Sequence, residues 1–121
     1  MALILIVDDS PTEVHVMKQA LERHGYQTAI AGDGAEGIRL ARQMHPDLIF
    51  MDIVMPGVNG YQATRTLSND PDTRTIPIVM VTSKGQETDR IWGLRQGAVD
   101  YMVKPVSMAQ LVEKAQAALA A

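Results

Sequence analysis

Five side chains that could bind a metal ion or a phosphoryl group stand at the ends of short apolar runs: Asp8, Asp9, Asp52, Thr82 and Lys104. Short apolar runs bounded by turn residues are typical of strands buried on both faces. An acid is expected at the end of such a strand only where it binds something, and ligands of open α/β sheets bind at the carboxyl ends of parallel strands. We therefore take Asp52, which ends the run Leu48-Ile49-Phe50-Met51, as the candidate reacting group.

The chemistry that these side chains could perform together is phosphoryl transfer. Three carboxylates in one pocket repel each other, and a hard divalent cation such as Mg2+ relieves that repulsion by binding their oxygens. Asp52 could then attack phosphorus as a carboxylate nucleophile and form an acyl phosphate. The Lys104 ammonium would neutralise developing charge, and the Thr82 hydroxyl would donate to a phosphoryl oxygen.

An alternating series of strand and helix patterns would have to position these residues. The strand patterns cover residues 3–7, 26–31, 48–51, 76–81 and 101–103, and a helix pattern follows each of them, including 60–67 and 86–96. Such alternation predicts an α/β fold with a doubly wound parallel sheet and helices on both faces. If the strand order is 2-1-3-4-5, the first and third strands are neighbours and the three acids converge. We expect residues 1–121 to form one domain with no output domain attached.

Residue spacing also predicts where helices begin and which faces they bury. Three pairs have the spacing of a capping box: Ser10 with Glu13, Asp33 with Glu36, and Ser107 with Gln110. The expected inward stripe of the second helix consists of Ala35, Ile38 and Ala41. In the fourth helix, an inward stripe through Ile91 and Leu94 would leave Trp92 partly exposed.

Composition excludes several classes of function. The chain has no cysteine, which rules out disulfides and zinc–thiolate sites, and its net charge of -3 does not suit a nucleic-acid-binding protein. The apolar start before Asp8 is too short for a signal peptide or a membrane span. We expect a soluble, cytoplasmic monomer that binds neither membrane nor nucleic acid, with its eight methionines filling the core.

Together these motifs resemble the receiver domain of bacterial response regulators. The resemblance covers the whole chain and rests on four runs: Asp8-Asp9-Ser10-Pro11, Asp52-Ile53-Val54-Met55-Pro56-Gly57, Val81-Thr82-Ser83 and Lys104-Pro105. It implies a flavodoxin-like (βα)5 fold with the strand order 2-1-3-4-5. It also implies that Asp52 is the phosphoacceptor, that Asp8 and Asp9 arrange Mg2+ and that Lys104 contacts the phosphoryl group. The backbone carbonyl of Val54 would be a further metal ligand.

The same resemblance implies a switch and two protein partners. Thr82 and Tyr101 would be the coupled switch residues, and the peptide bond before Pro105 would be cis. A histidine kinase would supply the phosphoryl group. The face formed by the fourth helix, the fifth strand and the fifth helix, including Trp92 and Tyr101, would bind a downstream protein.

Further runs resemble the PilH-type subgroup of single-domain regulators in twitching-motility systems: Asp8 to Glu13, Gln86-Glu87-Thr88-Asp89, Trp92-Gly93 and Arg95-Gln96-Gly97-Ala98. The leading hypothesis is therefore a stand-alone phosphorylation switch in twitching motility or chemotaxis-like signalling. It would act on a separate partner protein or drain phosphate from a shared kinase.

Simpler interpretations stay open. Asp8 and Asp9 could be a solvated pair at a helix start, and Lys104 could be a surface lysine. Tyr101 could simply pack at the sheet edge, and Trp92 could be a packed residue rather than an interface anchor. The three histidines, His15, His24 and His45, are interpreted as surface residues.

Two other functions compete with the phosphorylation switch. One is a hydrolase or phosphotransferase with an aspartyl-phosphate intermediate, but Val54 stands where such enzymes carry a second aspartate, and no cap insertion is present. The other is an interaction module that works without phosphorylation, which would not need the complete set of pocket residues.

Overall fold

Five parallel strands alternate with five helices in residues 1–120, which the computed structural model describes. The strands are β1 (Leu3–Val7), β2 (Gln27–Ala31), β3 (Leu48–Met51), β4 (Ile78–Thr82) and β5 (Asp100–Val103). The helices are α1 (Pro11–Arg23), α2 (Gly34–Met44), α3 (Gly60–Asn69), α4 (Glu87–Gln96) and α5 (Met108–Ala120). The sheet order is β2-β1-β3-β4-β5, which confirms the predicted flavodoxin-like topology. Within residues 1–120, the helices fall short of the length and apolar character that crossing a membrane requires.

The sheet is buried on both faces because the central strands are apolar throughout. Alternate side chains of a strand point to opposite faces. Ile4 and Phe50 belong to the core layer that contains the buried residues of α1 and α5. Leu5 and Ile49 belong to the opposite layer, with the buried residues of α2 and α3. The polar residues Asp8, Asp52 and Lys104 lie just beyond the strand segments that these two core layers bury.

Strand register places the acids side by side. Val7 pairs with Met51 in the parallel ladder between β1 and β3, so the next residue of each strand is an aspartate. The ladder continues one step further, because the backbone N–H of Asp52 donates to the carbonyl of Val7 at 2.9 Å. At the other side of the sheet, the N–H of Lys104 donates to the carbonyl of Thr82 at 2.8 Å.

Most observed boundaries lie within two residues of the predicted ones, and the largest correction at a strand start concerns β4. The strand begins at Ile78 rather than at residue 76. Pro77 has no N–H to donate to a ladder, and the N–H of Ile76 donates to the carbonyl of Thr73 in a turn.

The predicted inward stripes of α2 and α4 are partly wrong. Ala35 is exposed, and the residues that α2 buries include Gly34, Gly37 and Ala41. A Cβ at Gly37 would lie 2.9 Å from both γ-carbons of Val7, so the helix approaches β1 at a position where a larger residue would not fit. In α4, Ile91 is 40% exposed, and Gly93 and Gln96 are the buried residues. The spacing of apolar residues does not reveal the burial of Gly37 or Gly93, because glycine has no hydrophobic side chain.

Gly60 sets the position of α3 relative to the end of β3. Its N–H donates to the carbonyl of Ile53 at 2.9 Å. A Cβ at Gly60 would overlap the backbone carbonyl of Asp52 and lie 2.7 Å from the Cα of Ile53.

We expect Gly60→Ala to lower the free energy of unfolding by about 1–3 kcal/mol, the usual effect of overpacking. Urea unfolding would measure the change.

The matched control is Gly32→Ala. No atom lies within 4 Å of a Cβ built at Gly32. This variant should change the free energy of unfolding by less than about 0.5 kcal/mol, as most surface substitutions do. If both variants unfold at the same urea concentration, the proposed role of the Gly60 contact is wrong.

Candidate functional site

The carboxyl ends of β1 and β3 bring three carboxylates into one cluster. Asp8, Asp9 and Asp52 each offer an oxygen, and these three oxygens lie within 4.8 Å of one another. Asp8 is 3% exposed and Asp52 is 7% exposed, whereas Asp9 is exposed to solvent. An all-oxygen, carboxylate-rich donor set that is open on one side suits a hard divalent cation that keeps several waters. These residues can therefore hold Mg2+.

Lys104 binds two of these acids from the loop that follows β5. Its Nζ donates to Oδ2 of Asp8 at 3.0 Å and to Oδ2 of Asp52 at 3.2 Å. A third contact joins Nζ to Oε2 of Glu13, in the first turn of α1, at 2.6 Å. Burial of the ammonium opposes protonation, but its hydrogen bonds to Glu13 and Asp8 and the nearby negative charges together raise the pKa of Lys104 above the ordinary lysine value. The side chain is therefore a permanent cation at neutral pH.

The surroundings of Asp8 disfavour the ionised form of its carboxyl group. Burial raises the pKa of the Asp8 carboxyl, and the charge of Asp52 adds to the rise. Hydrogen bonds from the Ser10 N–H, at 2.9 Å, and from Lys104 oppose the shift without cancelling it. A cation that enters the pocket would therefore stabilise the ionised form of Asp8.

The two carboxylate oxygens of Asp52 have different partners. Oδ1 accepts a hydrogen bond from the Ile53 N–H at 2.7 Å, and Oδ2 accepts from Lys104. These contacts fix the plane of the Asp52 carboxylate within the pocket. A carboxylate oxygen held in a fixed position is what attack on phosphorus requires.

A hydrogen-bonded chain joins Thr82 to Tyr101 through the backbone of one residue, Lys84. The N–H of Lys84 donates to Oγ1 of Thr82 at 3.3 Å, and the Tyr101 hydroxyl donates to the carbonyl of Lys84 at 2.6 Å. Thr82 is fully buried at the end of β4. Burial, with the nearby Tyr61 hydroxyl, raises the pKa of Tyr101, so the phenol stays protonated and continues to donate.

Comparison with known proteins identifies the family of this arrangement. The family model described as the response regulator receiver domain matches residues 4–116. The chain belongs to the response regulator receiver domain family. Protein PilH of Pseudomonas aeruginosa is 55% identical over 120 residues, which cover 99% of each chain.

Two solved structures show the same fold. The chemotaxis protein CheY4 of Vibrio cholerae is 28% identical with a TM-score of 0.92, over 98% of this chain and 99% of that chain. The receiver domain of the sensor histidine kinase PA1611 of Pseudomonas aeruginosa is 32% identical with a TM-score of 0.92, over 99% and 98%. That structure contains a magnesium ion in its active-site cleft.

The geometry of this receiver domain decides between several of the simpler interpretations. Asp8 is not a solvated helix-start acid, and the Lys104 side chain, which is 16% exposed, is not a free surface lysine. Tyr101 is both packed and hydrogen-bonded, and Trp92 is 48% exposed. The bond between Lys104 and Pro105 is cis.

The remaining predicted positions lie at the surface. Val54, expected to offer its backbone carbonyl to the metal, follows the buried Ile53 and is exposed. The three histidines are also exposed, as expected: His15, His24 and His45.

Sequence spacing missed two residues that touch the site or its switch. The spacing of Ser10 and Glu13 predicts a capping box, but only half of it forms. Ser10 Oγ accepts from the Glu13 N–H at 3.4 Å, whereas the Ser10 N–H donates to Asp8 rather than to the Glu13 carboxylate. The Glu13 carboxylate is thereby free to reach Lys104. Tyr61, in the first turn of α3, donates its hydroxyl to the carbonyl of Asp89 in α4 at 3.2 Å. Nothing in the spacing of these residues signals either contact.

The raised pKa of Asp8 predicts a pH-dependent gain in stability when that acid is removed. In buffer without divalent cations, Asp8→Asn should raise the free energy of unfolding at neutral pH by about 0.5–2 kcal/mol, as stabilising substitutions at functional sites do. The folded-state pKa lies above the unfolded-state value, so ionisation of Asp8 opposes folding. The gain should therefore be absent below about pH 3.9, the ordinary aspartate pKa, and grow as pH rises through the folded-state pKa.

Urea unfolding of wild type and Asp8→Asn across this pH range would measure the difference. If the variant is less stable at neutral pH, the hydrogen bond from Lys104 outweighs the burial of the carboxylate.

Proposed function

We propose that this receiver domain is a phosphorylation switch that accepts a phosphoryl group on Asp52. The observation that carries the proposal is the Lys104 ammonium, which bridges the carboxylates of Asp8 and Asp52 beside Asp9. A nucleophilic carboxylate, a fixed cation and a cluster of oxygen ligands within one pocket are the parts that phosphoryl transfer needs.

The transfer is an in-line displacement at phosphorus. An oxygen of Asp52 forms the new P–O bond while the P–N bond to the imidazole of a phosphohistidine breaks, and the imidazole nitrogen keeps the bonding electron pair and takes up a proton. Lys104 stabilises the negative charge on the phosphoryl oxygens.

Mg2+ fits the acidic cluster and would neutralise phosphoryl charge when bound. Asp8, Asp9 and Asp52 would hold it with their carboxylates, and Val54 would contribute its backbone carbonyl. The magnesium ion in the related receiver domain of PA1611 supports this assignment.

The switch runs from Thr82 to Tyr101. The hydroxyl hydrogen of Thr82 would be donated to a phosphoryl oxygen on Asp52, which draws the side chain toward the acceptor. The N–H of Lys84 donates to Thr82 and the carbonyl of Lys84 accepts from Tyr101, so movement of Thr82 would shift the Lys84 backbone and change the contact that holds the Tyr101 phenol.

The surface formed by α4, β5 and α5 would transmit this change to a partner protein. Trp92 lies half exposed on α4, and the Tyr101 ring is buried below the helix. Tyr101 would therefore take part through its hydroxyl or through a change of rotamer, and Trp92 would contact the partner directly.

The 55% identity to Protein PilH supports a role in twitching-motility signalling in the cytoplasm, with a histidine kinase as phosphodonor. This assignment of pathway rests on similarity, whereas the assignment of Asp52 rests on the pocket.

The test of the proposed function is covalent labelling with acetyl phosphate, followed by intact-mass measurement. Wild type in Mg2+ should gain one phosphoryl group, and Asp52→Asn should gain none, because an amide nitrogen is not a nucleophile here. Chelation of Mg2+ should reduce the labelling rate by about tenfold or more, in line with the contribution of electrostatic stabilisation to such reactions.

Asp72→Asn is the matched control for Asp52→Asn. It makes the same chemical change at an exposed residue of the turn before β4, remote from the pocket, and should label as wild type does. Labelling that survives in Asp52→Asn would overturn the assignment of the phosphoacceptor. A folded wild type that gains no phosphoryl group would favour an interaction module that works without phosphorylation.

A further inference from the structure

The shortest ion pair at the pocket joins Lys104 to Glu13, not to the phosphoacceptor. Nζ lies 2.6 Å from Oε2 of Glu13, against 3.0 Å from Asp8 and 3.2 Å from Asp52. Glu13 does not belong to the acidic cluster that would hold Mg2+. The proposed phosphoryl transfer also gives this residue no role.

The lysine has no N–H group left for a further acceptor. An ammonium carries three N–H donors, and three carboxylate oxygens accept from it here. A phosphoryl oxygen can therefore receive a hydrogen bond from Lys104 only if one of the present acceptors releases it.

Glu13 is the acceptor best able to leave. The Asp8 carboxylate is buried and also held by the Ser10 N–H, and Asp52 is the group that receives the phosphorus. The Glu13 side chain is 46% exposed, so water can solvate its carboxylate once it leaves the lysine. Release of Glu13 is the step that frees Lys104 for the phosphoryl group.

The charge of Glu13 acts in the same direction. Without Glu13, Lys104 faces the two carboxylates of Asp8 and Asp52; with it, a third carboxylate neutralises the cation on its outer side. A small anionic phosphodonor that approaches this pocket meets a lysine whose charge is already compensated.

We propose that Glu13 is a positioning residue that withholds Lys104 from an incoming phosphoryl group and so slows phosphorylation by small anionic donors. The inference rests on the proposed function of Asp52. Glu13 touches neither the reacting oxygen nor phosphorus, and acts only through the lysine.

Glu13→Gln tests the inference, because it removes the charge and keeps the length of the side chain. With acetyl phosphate and Mg2+, its initial labelling rate should be about two- to fivefold higher than that of wild type, the factor that corresponds to an ion pair near the surface. An unchanged or lower rate would overturn the proposal.

Glu22→Gln is the matched control on the same helix. Glu22 is an exposed acid that pairs with Lys18 and accepts from Thr28, remote from Lys104. This variant changes net charge by the same amount and should label at the wild-type rate. If it accelerates labelling as much as Glu13→Gln does, net charge rather than the contact with Lys104 is responsible, and the proposal is wrong.

A double-mutant cycle with Lys104→Met separates positioning from direct repulsion. If Glu13 acts through the lysine, Glu13→Gln should no longer accelerate labelling in the Lys104→Met background. Equal acceleration in both backgrounds would show that Glu13 repels the donor directly and would overturn the proposed route. Thermal unfolding of each variant confirms that it is folded.

Labelling of wild type and Asp52→Asn in the same experiment keeps the two proposals apart. Loss of labelling in Asp52→Asn with no effect of Glu13→Gln would reject the role of Glu13 alone. Labelling of Asp52→Asn would reject the assignment of the phosphoacceptor on which the role of Glu13 rests.

Discussion

The contact on which the functional end of this structure depends is the Lys104 ammonium between the carboxylates of Asp8 and Asp52. Two aspartates with almost no solvent access lie close together at adjacent strand ends, and without a cation each would raise the energy of the other. Lys104 follows the edge strand β5 and lies 96 residues after Asp8 and 52 after Asp52 in the sequence. The observed strand order brings the ends of β1, β3 and β5 close enough for these contacts, so the charge balance of the pocket depends on the fold.

The apolar sheet provides the rigidity that this charge balance needs. The residues that precede the acids, Val7 and Met51, are fully buried and paired in the ladder, so the polar side chains project from backbone that cannot easily shift. Close helix packing at Gly37 and Gly60 holds α2 and α3 against the same strand ends. A site built on strand ends keeps its geometry better than one built on loops alone.

The fold and the main site residues were predictable because they rest on signals that are local in sequence. Short apolar runs that end in Asp52 or Lys104 mark strand ends, and their alternation with helix patterns predicts the sheet. The spacing signals failed where the inward residue is glycine, as at Gly37, since a close approach of backbones has no hydrophobic signature. They also failed at Ile91, where helical spacing predicted burial and the side chain is 40% exposed.

The contacts that pairwise spacing cannot reveal are those between distant elements. The Ser10 N–H donates to Asp8 and the Glu13 carboxylate binds Lys104, whereas the spacing of Ser10 and Glu13 predicts that they pair with each other. The link from Thr82 to Tyr101 passes through the backbone of Lys84, and backbone contacts leave no trace in side-chain chemistry. Under the proposed function, both contacts would affect how the pocket responds to a phosphoryl group.

We infer that a phosphoryl group on Asp52 changes the hydrogen bonding of Tyr101 through Thr82 and Lys84. The most direct measurement is a titration of the 15N-labelled protein with beryllofluoride and Mg2+, in which BeF3- on Asp52 stands in for the phosphoryl group, followed by amide NMR spectra. The amide signals of Thr82, Lys84 and Tyr101 should shift together with that of Ile53, and none of them should shift in Asp52→Asn. Shifts confined to the residues around Asp52, with Lys84 and Tyr101 unchanged, would contradict it.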